Sequence, residues 1–306
     1  MEKQVLTFSE IRAWKQCRLK HDYRQRLNAK GYDAHYSRRG NFVHGYIDQM
    51  YRDVRTGKET MDELMALLAT EWAGTVENAV KWGANEDDLK IEFAIIRGMI
   101  LGYHKHFFLN EKWDGVTTER EVVWDDPNGG LYACKIDAVV KEAERYWIHD
   151  IKTVASFGET DKKMLQVDEQ FSHYCVIAAE KFQRPFAGGI RTAIKTPGIK
   201  QTKKETLDEY CVRVVEDYQE RPEFYMQRIY SERTAEQLVE YSRYLDQIYK
   251  EIVNNKFVFR APSMSCGMCD FIDLCTEHKA EVRSAMLATD FYVRKKKHSE
   301  LSLVAA

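Results

Sequence analysis

The chain has 306 residues, 44% of them hydrophobic, enough to build a core in one large domain or two modest ones. Its formal net charge of −2 excludes the global basic field of a protein that holds nucleic acid by charge alone. Seven cysteines, an odd number, argue against a closed disulfide framework and for a reducing compartment.

In chain order, the N-terminus Met1-Glu-Lys-Gln-Val-Leu lacks the apolar stretch of a secretory leader. No apolar run approaches a membrane span, so the expectation is a cytoplasmic protein without a membrane partner. The first hundred residues read as helical. Ser9 is the expected N-cap of a first helix, and helices are predicted over Tyr36–Asp53, Met61–Ala73 and Asp87–Phe108. Then the period changes to two. Strands are predicted at Thr117–Trp124, Leu131–Val140 and Arg145–Lys152, joined by turns at Asp126–Gly130 and Lys141–Glu144 into an antiparallel meander. A helix over Lys163–Lys181, a strand at Ala187–Ile194, a helix at Thr206–Asp217, a strand at Phe224–Tyr230 and a long helix at Thr234–Asn254 complete the pattern. The fold class is α/β, a mixed central sheet flanked by helices. Cys134, Cys175 and Cys211 fall in apolar segments and are expected to be buried.

Two groups of residues carry chemistry. The first is Cys17 near one end and Cys266, Cys269 and Cys275 near the other. Thiolates gathered this way hold a metal or an iron–sulfur cluster, and with Cys17 included the group would clasp the two ends of the chain together. Zinc and iron–sulfur both remain open at this point. The second is Asp137, one carboxylate inside an apolar strand, followed on the next strand by Asp150 and Lys152. Strand alternation puts Asp150 and Lys152 on one face. Carboxylates drawn together repel unless a cation lies between them, and a hard ion such as Mg²⁺ or Mn²⁺ prefers oxygen ligands. Asp-x-Lys alone is a weak signal; the aspartate one hairpin earlier strengthens it. His44, on a helix behind Arg38 and Arg39, supplies a further candidate ligand. Gln170 and Tyr174 are four apart, on one helix face. Arg38, Arg39, the four lysines from Lys195 to Lys204 and the basic tail Arg294–His298 are candidate backbone contacts, and Tyr36 and Tyr46 candidate stacking residues.

The order of these features resembles the PD-(D/E)XK nuclease superfamily, and within it the iron–sulfur branch of RecB-like exonucleases. That branch holds the CRISPR-associated Fe–S exonucleases and the C-terminal nuclease of AddB. The resemblance runs from Thr7 to about His278. It implies a restriction-endonuclease-like core at 111–232. It also implies an N-terminal helical region at 1–110 and a C-terminal helix, cysteine run and tail at 233–306. It implies that His44, Asp137, Asp150 and the Ile151 carbonyl bind Mg²⁺ or Mn²⁺, that Lys152 is the catalytic lysine, and that Gln170 and Tyr174 assist. Cys17, Cys266, Cys269 and Cys275 would hold a [4Fe–4S] cluster, which the roughly 250-residue separation suits better than a zinc ribbon.

The chain departs from the pattern in having Arg18 where relatives have proline, Asp150 where the CRISPR-associated proteins have glutamate, and extra helices after His44. These departures point away from CRISPR adaptation. The implied role is a stand-alone DNA exonuclease working with recombination, repair or replication proteins, of viral or mobile-element origin. Two rivals remain: a DNA-binding or assembly module with a degenerate core, and a redox sensor that switches DNA binding.

Overall fold

The computed structural model describes residues 3–25, 29–30, 35–81, 83–255, 257–288 and 293–294. Strand β1 (Val5–Thr7) runs directly into helix α1 (Phe8–Gln16). Thr7, not Ser9, is the N-cap. Its hydroxyl accepts from the Glu10 N–H while the Glu10 carboxylate accepts from the Thr7 N–H, a reciprocal pairing that satisfies two free donors. Ser9 lies inside the first turn. After α2 (Arg18–Gln25) and the short β2 (Ala29–Lys30) come α3 (His35–Gln49), a π-helical turn (Met50–Val54), α4 (Met61–Lys81) and α5 (Glu86–His106).

Strands β3 (Gly115–Asp125), β4 (Leu131–Glu142) and β5 (Arg145–Val154) form the expected antiparallel meander. The single helix expected over Lys163–Lys181 is two, α6 (Glu159–Gln166) and α7 (Glu169–Phe182). Asp168 accepts the Gln170 N–H and so begins a new helix. Arg233 holds the break by donating to the carbonyls of Leu165 and Asp168. Then follow β6 (Gly188–Lys195), α8 (Leu207–Glu220), α9 (Pro222–Tyr225), β7 (Met226–Glu232) and α10 (Ala235–Asn254). A 3₁₀ turn (Met264–Met268), α11 (Ile272–Thr276), α12 (Ala280–Leu287) and β8 (Val293–Arg294), which pairs with β2, close the chain.

Six strands form one mixed sheet in the order β1-β4-β5-β6-β7, with β3 also on β4. The β1–β4 and β5–β6 pairs are parallel and the rest antiparallel. β3 covers one edge of β4 from Leu131 to Lys141. The other edge is shared: β1 takes Leu131–Ala133 and β5 takes Ala138–Glu142, leaving Cys134 to Asp137 in the fork between them.

The core partner of β4 changes at the same point. Tyr132, Cys134 and Ile136 pack with residues of α1, α7 and α10, whereas Ala138 and Val140 pack with α3, α4, α5 and α8. Close packing of α7 on β6 needs Gly189, whose Cβ would fall 2.1 Å from the Phe171 ring. Cys134 and Cys175 are buried as expected, but Cys211 is only half-buried, because it lies on the partly open side of α8. Among the described residues no helix is long and apolar enough to cross a membrane.

Candidate active site

The β4–β5 ladder ends at Ala138 opposite His149. Beyond it the strands part, and the Asp137 carboxylate substitutes for the missing ladder acceptor: its Oδ2 takes the Ile151 N–H at 3.0 Å. The same oxygen lies 3.3 Å from Nδ1 of His44, on α3. Burial alone would push the Asp137 carboxyl up. The His44 hydrogen bond, the His44 and Lys152 charges and the Ile151 N–H outweigh it and hold the group below its ordinary value.

Asp150 and Lys152 share a face of β5, as strand alternation requires. The Asp150 side chain is 4% exposed and its Oδ1 is 2.8 Å from Nζ of Lys152. Burial disfavours the Lys152 charge, but Asp150 and Asp137 more than offset this, so its pKa lies above the usual value. In this arrangement Lys152 is a cation that can hold a water or offset negative charge; it is not a free base. Gln170 and Tyr174 lie on α7 with Nε2 of Gln170 donating to the Tyr174 hydroxyl at 3.1 Å and to Asp150 at 3.4 Å. Burial pushes the Tyr174 phenol up, so it stays neutral.

A residue that the sequence analysis did not single out completes the group. Arg191 of β6 donates from Nε to Oδ2 of Asp150 at 3.0 Å. Its signal was available: one cation in the middle of an apolar strand, the same anomaly that marks Asp137. A cavity of about 650 Å³ opens over Lys152, Gln170 and Arg191, with Arg12 of α1 and Phe157 on its walls. His44 and Asp137 line a much smaller depression beside Tyr51 and His149.

Carboxylates, imidazole and a carbonyl are the donor types a hard divalent ion takes. Among the described residues, however, no three His, Cys, Asp or Glu side chains are grouped as a metal site. Asp150 is turned toward Lys152 and Arg191, and Asp137 toward His44 and the Ile151 N–H. A carboxylate has about four acceptor positions, so these partners leave room for an ion as well.

The four cysteines line one small pocket but, among the described residues, are not grouped closely enough to count as a metal site. Cys17 is the C-cap of α1, Cys266 lies in the 3₁₀ turn, Cys269 caps it, and Cys275 is in α11. Burial raises the Cys275 thiol; Arg260 opposes the shift, while Cys17, Cys266 and Cys269 add to it. All four are free thiols. The two ends of the chain also meet without them. The Arg18 guanidinium lies 4.7 Å from the Trp14 ring and 4.9 Å from the Phe259 ring, and pairs with Glu251. The Leu19 N–H donates to the Phe259 carbonyl at 3.2 Å. Arg18 is thus a bridge across the junction.

Other candidate contacts are differently employed. Arg39 is paired to Glu92 and largely covered. Tyr46 is buried in the core, where its hydroxyl donates to Glu71, so it is not placed to stack on a base. Lys195 sits 3.4 Å over the Phe224 ring, while Lys200, Lys203 and Lys204 are exposed. The Tyr36 side chain and residues 295–298 of the basic tail lie outside the described residues.

Comparison with known proteins gives one family. A profile of the PD-(D/E)XK nuclease superfamily matches residues 5–276. A search of curated proteins finds no match. A crystal structure of a protein called SSO0001 aligns over 90% of this chain and 88% of its own at 13% identity, with a TM-score of 0.32.

Proposed function

The chain belongs to the PD-(D/E)XK nuclease superfamily, and from that premise we propose that it is a metal-dependent DNA exonuclease that hydrolyses phosphodiesters at DNA ends or in single strands. The observation that carries this reading is the convergence at the β4–β5 fork. Asp137 and Asp150, from two adjacent strands, both act on the charge of Lys152, which lines a cavity large enough for a substrate, while Asp137 faces a smaller depression with His44.

His44, Asp137, Asp150 and the Ile151 carbonyl would hold Mg²⁺ or Mn²⁺. Bound there, such an ion polarises a phosphoryl oxygen and acidifies the attacking water. Lys152, kept cationic by its two aspartates, orients the water and offsets charge developing on the phosphate. Gln170 holds Asp150 and Tyr174 in place. Arg12, on the cavity wall, meets the strand backbone.

Cys17, Cys266, Cys269 and Cys275 would hold a structural [4Fe–4S] cluster that clasps residues 1–110 to residues 233–306 around the core at 111–232. The pathway in this reading is DNA recombination, repair or replication, with proteins of those processes as partners.

The test is cleavage of end-labelled single- and double-stranded DNA with Mn²⁺, Mg²⁺ or chelator, using anaerobically purified protein beside Lys152→Ala. Metal-dependent cleavage lost in the variant supports the reading. DNA binding without cleavage by the folded wild type refutes it and leaves a binding module.

A further inference from the structure

Strand β6 reads Gly188-Gly-Ile-Arg191-Thr-Ala-Ile-Lys195, with Arg191 a charge in its middle among buried neighbours. Arg191 is the register partner of Asp150 in the parallel β5–β6 ladder, so the two side chains stand side by side on one face. Its planar group then makes three connections. Nε donates to Asp150 at 3.0 Å, and Nη2 lies 3.0 Å from Oδ2 of Asp168 and 3.4 Å from Oε1 of Gln170. The guanidinium carbon sits 5.1 Å from the Phe171 ring centre, and that ring occupies the space Gly189 leaves.

We propose that Arg191 is a positioning residue, whose rigid fork fixes the orientation of the Asp150 carboxylate and ties it to the first turn of α7. Asp150–Lys152 and Gln170–Tyr174 then behave as one unit. The inference rests on the nuclease reading and names a part of that site. Lysine could not replace it: an ammonium is a single point charge, whereas the fork reaches three acceptors from two of its nitrogens at once.

Two effects of removing Arg191 have opposite signs. Taking a positive charge away from beside a cation site strengthens cation binding. Losing the partner that orients a ligand weakens it, by about 10- to 100-fold for groups behind metal ligands. The sign of the change in metal affinity therefore decides between a positioning role and mere charge balance.

The experiment compares the full-length protein with Arg191→Lys and Arg191→Gln. It measures Mn²⁺ binding by calorimetric titration, kcat and KM on an oligonucleotide, and the melting curve. The expected result is folded variants with Mn²⁺ dissociation constants raised about 10- to 100-fold. kcat should fall, partly recovering with excess Mn²⁺, while KM for DNA stays unchanged.

Unchanged or tighter Mn²⁺ binding in both variants, or a loss confined to KM, overturns the proposal; the latter would make Arg191 a substrate contact. A double-mutant cycle of Asp150→Asn with Arg191→Lys, followed by urea unfolding in chelator, tests the pair without metal or activity, and remains available if Arg191→Gln does not fold. Additive effects overturn the proposal even if the wild type cleaves DNA. If the wild type neither binds Mn²⁺ nor cleaves, the nuclease reading falls, and non-additive effects would still uphold the Arg191–Asp150 link.

Discussion

The carboxylate of Asp137 stands in for a strand: it takes the backbone N–H of Ile151 at 3.0 Å where β4 and β5 have already separated. One side chain therefore has both a chemical and a structural task, and two substitutions separate them. Asp137→Asn keeps an oxygen for the Ile151 N–H and should leave stability within about 1 kcal/mol while abolishing cleavage. Asp137→Ala leaves that N–H unpaired and should destabilise the protein by about 1–3 kcal/mol. Urea unfolding and cleavage assays on both variants check this; equal stability losses would refute the division.

Lys152→Ala should lower cleavage at least about 100-fold, the scale of losing one donor aimed at developing charge. The fold should survive, because Arg191 remains to neutralise Asp150. A melting curve and a rate on labelled DNA test both halves, and a variant with near-normal cleavage would remove Lys152 from the mechanism.

His173 makes stability depend on acid. Its ring is enclosed by Phe8, Tyr132, Tyr174 and Tyr241, and burial pushes its pKa down to about 3. The folded protein therefore refuses a proton that the unfolded chain accepts near pH 6.5. Stability is full above that value and drains as pH falls toward 3, by up to about 1.4 kcal/mol per pH unit from this group. His173→Leu should flatten the pH dependence of the urea midpoint between pH 6.5 and 5. An unaltered slope would assign the acid sensitivity elsewhere.

Gly189→Ala drives a methyl into the Phe171 ring. Overpacking of this kind destabilises by about 1–3 kcal/mol. Because α7 carries Gln170 and Tyr174, cleavage should fall along with the melting temperature. Phe171→Leu in the same chain should restore part of both, and no rescue would mean that α7 does not move as a body.

Cys17→Ala should remove iron and acid-labile sulfide from anaerobically purified protein. The ends of the chain should nonetheless stay joined through Arg18, Phe259 and Glu251. Iron analysis and limited proteolysis near residue 259 read the two effects separately. A full iron complement in the variant would exclude Cys17 as a ligand.

Local pattern revealed much of this molecule. The β3–β5 meander follows from the change to period two, and Asp137 stands out as the one carboxylate in the apolar middle of β4. Arg191 carried the same signal, but its importance depends on lying beside Asp150, a register that no local pattern encodes. β1 was invisible because three residues have no period. The break between α6 and α7 depends on Arg233, some 65 residues away. Thr7 displaced Ser9 as the cap because the choice turns on which hydroxyl has Glu10 three residues ahead of it. The bridge from Arg18 to Phe259 is likewise non-local, so position 18 read only as a departure from pattern.

The pairing of β1 with Leu131–Ala133 has a consequence for synthesis. Val5 leaves the ribosome more than a hundred residues before its partner, which at about 5–20 residues per second is a wait on the order of ten seconds. Throughout that interval the first strand and the helix behind it have no sheet to join. The nascent chain thus carries an unpaired strand edge through much of translation, and translation speed ahead of Leu131 becomes a determinant of yield.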